Sequence, residues 1–331
     1  MKKLARYALI VLVVAGLLFL RTGYLVVRPG SALDLSTLVS VESVTGEEDE
    51  GSFYLVTVVQ KEATPLQLLQ AIIDSDVDLR HKSRYMPPGL NKEEYREIMK
   101  QWMIESQTLA KVIALRKKGY EVPVKSDGIK VVKIEEDSPA KGILQPGDVI
   151  VAVDGKEVYL VEELIEEVGA RSAGSPVTLT VRRDSEIKEL TVNTVTHLQQ
   201  PDKAGIRAYV QTLNWQPVLP LEIDIQVGKI TGPSAGLMFV LEILNQLDEK
   251  DLTFGHKIAG TGTINLEEEV GPIGGVRQKV RAAEEAGAEY FLVPEKNYEE
   301  AKNNARAVTV VAVRTLDEAL HFLEGLSGSS N

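Results

Sequence analysis

Ile230-Thr231-Gly232-Pro233-Ser234-Ala235-Gly236 stands between two runs of different period. Before it, Leu221-Glu222-Ile223-Asp224-Ile225-Gln226-Val227 alternates apolar and polar residues, the mark of a half-buried strand. After it, Leu237-Met238-Phe239-Val240-Leu241-Glu242-Ile243-Leu244 is apolar nearly throughout and reads as a mostly buried helix. The seven residues are therefore a strand-to-helix turn. Pro233 suits the first helical position, because its missing N–H costs nothing there. That puts the Ser234 hydroxyl in the first turn, where free backbone N–H groups and the helix dipole favour a developing negative charge. Gly232 and Gly236 leave room for a second backbone to approach. A serine at a helix start also serves as an ordinary cap. Pattern alone leaves Ser234 open between the two roles.

Lys279 lies in Gly274-Gly275-Val276-Arg277-Gln278-Lys279-Val280-Arg281-Ala282-Ala283-Glu284-Glu285-Ala286-Gly287, where Gly287 is a helix stop. On a wheel of about 100° per residue, Val276, Lys279, Val280, Ala282, Ala283, Ala286 and Gly287 share one arc. Arg277, Gln278, Arg281, Glu284 and Glu285 share the other. Lys279 is the charged residue within the apolar arc. A desolvated ammonium shifts toward the neutral amine, and a neutral amine beside Ser234 can take the hydroxyl proton. A snorkelling lysine whose stem covers the alanines fits the wheel equally well.

Three blocks bear on that choice: Gly232-Pro233-Ser234-Ala235-Gly236, then Gly260-Thr261-Gly262-Thr263-Ile264, then Gly271-Pro272-Ile273-Gly274-Gly275-Val276 ending at Lys279. In this order and separation they resemble the proteolytic domain of Lon-type serine peptidases, over about residues 205–326. The resemblance implies a Ser–Lys catalytic dyad at Ser234 and Lys279, with Thr261 helping to hold the lysine. It also implies an oxyanion site of backbone N–H groups around Gly232, Ser234 and Ala235. Many members carry an acidic residue three positions before the serine. Here that position is Thr231, so no carboxylate is implied beside the nucleophile.

Upstream, Gly128–Ile134, Pro176–Arg183 and Ile187–Val192 read as strands, Gln145–Lys156 as a turn followed by a strand, and Val161–Gly169 as a helix. Asp154-Gly155 is a hairpin signal. Asp137-Ser138-Pro139-Ala140 and Pro146-Gly147-Asp148-Val149-Ile150 give residues 123–196 a resemblance to a bacterial PDZ domain. This implies capture of an extended peptide by strand addition. It assigns the peptide C-terminus to Asp127, Gly128, Ile129, Lys130 and Val131, with free N–H groups beside Gly128. A PDZ unit serving only as an internal brace is the alternative.

Further upstream, Tyr7 to Leu20 is apolar after Lys2, Lys3 and Arg6, and Gly23-Tyr24-Leu25-Val26-Val27 resumes beyond Arg21. Residues 7–27 have membrane-spanning length, and the basic start predicts a cytoplasmic N-terminus. The expectation for residues 1–30 is a single-pass anchor; a cleaved signal ending at Gly30-Ser31-Ala32 is the alternative. Residues 31–122 read as an extracytoplasmic region of strand and helix, with a strand over Ser52–Val59, helices over Pro65–Ile73 and Asn91–Arg116, and Tyr85, Met86 and Trp102 in the core. Packing of this region on the proteolytic domain is left open. Residues 197–326 alternate strand and helix, implying a mixed sheet with packed helices, and 327–331 read as a disordered tail. The fold class expected is α/β and α+β, multidomain: a transmembrane helix, a β-rich PDZ domain and a Lon-type α/β domain.

Composition sets the exclusions. The 331 residues carry a net charge of −11, which argues against a nucleic-acid surface. With no cysteine there is no disulfide, thiolate metal site or cysteine nucleophile. His81, His197, His256 and His321 lack metal-ligand spacing, and His256 has no acid placed to orient it. No Gly-x-x-x-x-Gly-Lys-Ser/Thr loop occurs in this sequence, so no ATPase site is expected; the expectation for metals and cofactors is likewise none. The arrangement resembles the membrane-anchored PDZ–Lon peptidases of Gram-positive bacteria. That resemblance implies ATP-independent endopeptidase action on peptides or exposed protein segments outside the cell membrane, with recruitment or gating by the PDZ domain. Assembly into a homo-oligomer is compatible with it. A non-catalytic, membrane-anchored PDZ scaffold is the rival reading.

Overall fold

The computed structural model describes residues 6, 7, 12, 15–42, 50–73, 76–82, 92–196 and 204–327. The chain forms two units, residues 1–120 with 221–331, and residues 121–220. The second is inserted in the sequence of the first.

The first unit opens with strands β1 (Tyr24–Asp34) and β2 (Ser52–Glu62), helix α1 (Pro65–Ile73), strand β3 (Asp78–His81) and helix α2 (Lys92–Lys117). β1 runs antiparallel to both β2 and β3. This corrects the N-terminal reading. Tyr24–Val27 is sheet rather than the end of a membrane helix, because Val26 and Val27 are buried between two neighbouring strands. Among the described residues no helix is long and apolar enough to cross a membrane. Most of Tyr7–Val14, together with Tyr85 and Met86, lies outside the described residues. Trp102, expected in the core, is 47% exposed. Around Trp102 the buried stripe of α2 runs through Met103, Ser106 and Ala110, before the helix is buried throughout Val112–Leu115, and Trp102 falls on the flank of that stripe.

The second unit contains β4 (Gly128–Ile134), β5 (Val149–Val153), α3 (Val161–Gly169), β6 (Pro176–Arg183), β7 (Glu186–Asn193) and β8 (Ala208–Leu213). They pair antiparallel in the order β7-β6-β5-β4-β8. Ile129, Val131, Ile150, Leu164, Val168, Leu179 and Val181 form its core. Residues 204–220, expected to open the proteolytic domain, belong here instead, because β8 supplies the fifth strand. The two PDZ-like motifs hold this unit together. Asp148, 1% exposed, receives Arg183 through two bonds of 2.7 Å and the Gln145 N–H at 2.8 Å. Burial pushes its carboxyl up, but Arg183 and the Gln145 N–H outweigh burial and hold it below the usual range. Ser138 Oγ donates to the Ile206 carbonyl at 2.6 Å, which ties down the residues leading into β8.

The chain then returns to the first unit with α4 (Gly236–Leu247), β9 (Lys257–Gly260), α5 (Val276–Glu285), β10 (Tyr290–Pro294), α6 (Tyr298–Asn304), β11 (Thr309–Val313) and α7 (Leu316–Leu326). The sheet order is β11-β10-β9-β2-β1-β3, with β2, β9, β10 and β11 parallel. Residues 24–117 thus give three strands to the same sheet as the segment carrying Ser234 and Lys279. Helices cover both faces. Ala259 packs with Val276 and Val280 of α5, whereas a Cβ on the next residue, Gly260, would fall on the sulfur of Met238 in α4. Alternation along β9 therefore puts α5 and α4 on opposite faces. α4 is buried from Gly236 to Asn245 because α2 covers the side that the sheet does not.

Candidate active site

Thr261 follows the C-terminal end of β9, the end of a parallel strand where open α/β sheets place their ligands. Here the two faces of the sheet meet. Ser234 comes from the turn before α4, and Lys279 from the first turns of α5. Lys279 Nζ lies 2.7 Å from Ser234 Oγ and 2.8 Å from Thr261 Oγ1. Thr261 Oγ1 donates to the Ser234 carbonyl at 2.9 Å. Its proton is thereby committed, so Thr261 faces Lys279 as an acceptor. The lone pair of a neutral amine is left for the Ser234 hydroxyl.

Lys279 is 3% exposed. Burial alone lowers its pKa from 10.5 to about 7. Protonating it inside the fold costs on the order of 5 kcal/mol relative to water. A buried amine that is half neutral near pH 7, in contact with a hydroxyl, is equipped to remove that hydroxyl's proton.

The turn differs from the expected one. α4 starts at Gly236 with Ala235 as its N-cap, so Pro233 is not the first helical residue and Ser234 precedes the helix. Gly232, at φ 97°, is in the left-handed region, and a Cβ there would lie 2.8 Å from Met99 Cε. The Gly232 N–H donates to the Met99 carbonyl at 2.8 Å. That removes Gly232 from the expected oxyanion donors, since its proton is already used. The N–H groups of Ser234 and Ala235 make no hydrogen bond among the described residues. They sit at the positive end of α4.

The outer arc of α5 is less exposed than its charge suggests. Gln278 is fully buried and Arg281 is 7% exposed. Asp76 and the first residue of β3 lie against this arc: Arg281 Nε lies 3.1 Å from Asp76, and Arg277 pairs with Asp78. These partners lie some 200 positions upstream, where no local pattern announces them. His256 does have an acid, with Nδ1 2.9 Å from Glu289. It precedes β9 while Thr261 follows it, a span of about 16 Å at the rise of a strand. His256 is therefore outside this site.

In the second unit, the peptide site expected at Asp127–Val131 is contradicted. β4 is an interior strand, paired with β5 on one side and β8 on the other. Its N–H groups are spent: Asp127 donates to the Leu213 carbonyl, Gly128 to Ser126 Oγ and Val131 to the Asp148 carbonyl. The outer edge belongs to β8. Between residues 204–210 and α3 runs a groove of about 260 Å³, with Leu164, Ile165 and Val168 on one wall. The signal missed was that Gly205-Ile206 and the strand after it complete this unit.

The first unit is thus an α/β domain that sets a serine hydroxyl against a buried lysine, the constellation of Ser–Lys hydrolases. Residues 222–323 match the family profile of the Lon protease (S16) C-terminal proteolytic domain, and residues 115–194 that of the PDZ domain. Lon protease 2 of Herpetosiphon aurantiacus is 42% identical over 93 residues, covering 27% of this chain and 11% of that protein. Lon protease 2 of Bacillus subtilis is 28% identical over 123 residues, covering 36% of this chain and 22% of that protein. The chain therefore spans less than a quarter of the length of these relatives. The PDZ domain of the SdrC-like protein from Listeria innocua is 26% identical, covering 26% of this chain and 94% of that one, with a TM-score of 0.24. The chain thus joins a stretch that matches the PDZ profile to one that matches the Lon proteolytic-domain profile.

Proposed function

We propose that this protein is an endopeptidase whose nucleophile is Ser234 and whose general base is Lys279. The observation that carries the reading is the 2.7 Å approach of a buried, low-pKa amine to the serine hydroxyl. Lys279 takes the hydroxyl proton as Oγ attacks the scissile carbonyl. The N–H groups of Ser234 and Ala235 stabilise the tetrahedral oxyanion. Its collapse breaks the C–N bond, Lys279 returns the proton to the leaving amine, and an acyl-enzyme remains on Ser234. Water, deprotonated by Lys279, then hydrolyses the ester. Thr261 orients the amine throughout.

The PDZ domain recruits substrate along the outer edge of β8, where an extended peptide adds a strand and sets an apolar side chain into the groove. With Tyr24–Val27 assigned to β1, the apolar run that remains, Tyr7–Leu20 between Arg6 and Arg21, holds the protein at the cell membrane, with both domains outside. No ATP is used, so the substrates are peptides or exposed, already extended segments.

Ser234→Ala tests the reading. Cleavage of peptides released at the cell surface, followed by mass spectrometry, stops in this variant while its thermal midpoint stays near that of wild type. A variant that cuts at the wild-type rate contradicts it. The groove also supports a second reading, a non-catalytic peptide-binding scaffold. Under that reading a fluorophosphonate leaves Ser234 unlabelled.

A further inference from the structure

Two peptide planes flank Ser234. In a trans peptide the carbonyl and the N–H point to opposite sides of one rigid plane, so fixing the carbonyl aims the N–H. The plane between Ser234 and Ala235 is fixed by the Ser234 carbonyl, which accepts from Thr261 Oγ1 at 2.9 Å and from the Gly262 N–H at 2.8 Å. Its other end is the Ala235 N–H. The plane between Pro233 and Ser234 is fixed by the Pro233 carbonyl, and its other end is the Ser234 N–H. That carbonyl accepts from Ser106 Oγ at 3.1 Å, with the Gly236 N–H a weaker second donor at 3.4 Å.

Ser106 lies in α2, 127 positions before Pro233, and is 4% exposed. Burying a hydroxyl among the apolar residues of α2 costs stability unless it is bonded, and its bond is spent on this carbonyl. Seven residues earlier, about 10 Å along the same helix, the Met99 carbonyl accepts the Gly232 N–H. α2 therefore grips the turn at two points and fixes its register. Thr261 has the matching task on the other plane, which gives its hydroxyl a second use besides facing Lys279.

We infer that Ser106 is a positioning residue for the oxyanion site: through the Pro233 carbonyl it aims the Ser234 N–H at the substrate oxygen. This rests on the peptidase reading, because that N–H matters only if a tetrahedral oxyanion forms beside Ser234. Ser106 touches neither substrate nor nucleophile. Its removal weakens stabilisation of the oxyanion and leaves proton transfer by Lys279 intact.

The experiment measures kcat, KM, the acid limb of the pH profile and the inhibition constant of a peptide boronate for wild type, S106A and S106T. A boronate adds to the serine as a tetrahedral anion and reports on the oxyanion donors. S106A lowers kcat about tenfold and raises the boronate inhibition constant by a similar factor, less than the loss of a whole donor. KM and the acid limb stay where they are, and S106T, which keeps the hydroxyl, restores both constants. An S106A enzyme with wild-type kcat and boronate affinity overturns the inference. So does a loss of kcat that leaves boronate affinity unchanged. Wild-type protein that neither cleaves peptides nor takes a fluorophosphonate on Ser234 overturns the peptidase reading, and this inference with it.

Discussion

The dyad and the PDZ groove solve opposite problems. The dyad hides its reactive amine: Lys279 is 3% exposed, and its pKa is moved by burial alone. The proposed peptide groove instead depends on what is open, the outer edge of β8 and the Ile165 side chain of α3. A catalytic amine has to be held away from water to be neutral near pH 7, whereas strand addition needs unpaired backbone open to a partner. Substitutions in the first region should therefore change rate, and substitutions in the second should change affinity.

The largest effect expected is on chemistry. Ser234→Ala and Lys279→Met should each lower kcat by about 10⁴-fold or more, without additivity in the double variant, since the two groups act as one unit. Peptide turnover measures this, and additive losses would break the pairing. Next comes stability against pH. Lys279 has a folded pKa of about 7 against 10.5 in the unfolded chain, so between these values the unfolded state binds more protons. Wild-type stability should rise across that window, with the full cost of the buried charge present below about pH 7. Lys279→Met removes this dependence, so its stability advantage over wild type should shrink from pH 6 to pH 10 by up to a few kcal/mol. Denaturant titrations at several pH values read this directly.

Thr261→Val should have a middling effect. It removes the acceptor at 2.8 Å from Nζ and the donor to the Ser234 carbonyl, lowering kcat about 10- to 100-fold. The smallest effect belongs to the groove. Ile165→Asp places a charge on the exposed part of its apolar wall and should raise KM several-fold for protein substrates. A short fluorogenic peptide that engages only the dyad should be cut at the wild-type rate. Equal effects on both substrates would deny the division of labour.

The difference between the regions also explains what the sequence could disclose. Local pattern brought both residues forward, Ser234 in a Gly-Pro-Ser turn between two periods and Lys279 within the apolar arc of a helix, but it left each open, and the resemblance of three ordered blocks to Lon-type peptidases is what paired them. Its supports were not. Ser106 and Met99 reach the turn from α2, and Asp76 and Asp78 cover α5, across 127 to about 200 positions of chain. The groove was misplaced by a single topological fact. β4 reads as a strand beside a glycine, but only the pairing of β8 shows that it is interior. The apolar residues 24–27 were likewise ambiguous, since a short run looks the same at the end of a membrane helix and in a buried strand.

The central claim is that burial makes Lys279 neutral near pH 7 beside Ser234. The rate of fluorophosphonate labelling of Ser234 between pH 5 and pH 9, at fixed ionic strength, tests it most directly. The account predicts a single titration, ten times slower for each unit on the acid side, with a midpoint of about 7 that disappears in Lys279→Met. A rate still climbing past pH 9, as for a solvated lysine, or one independent of pH would contradict it.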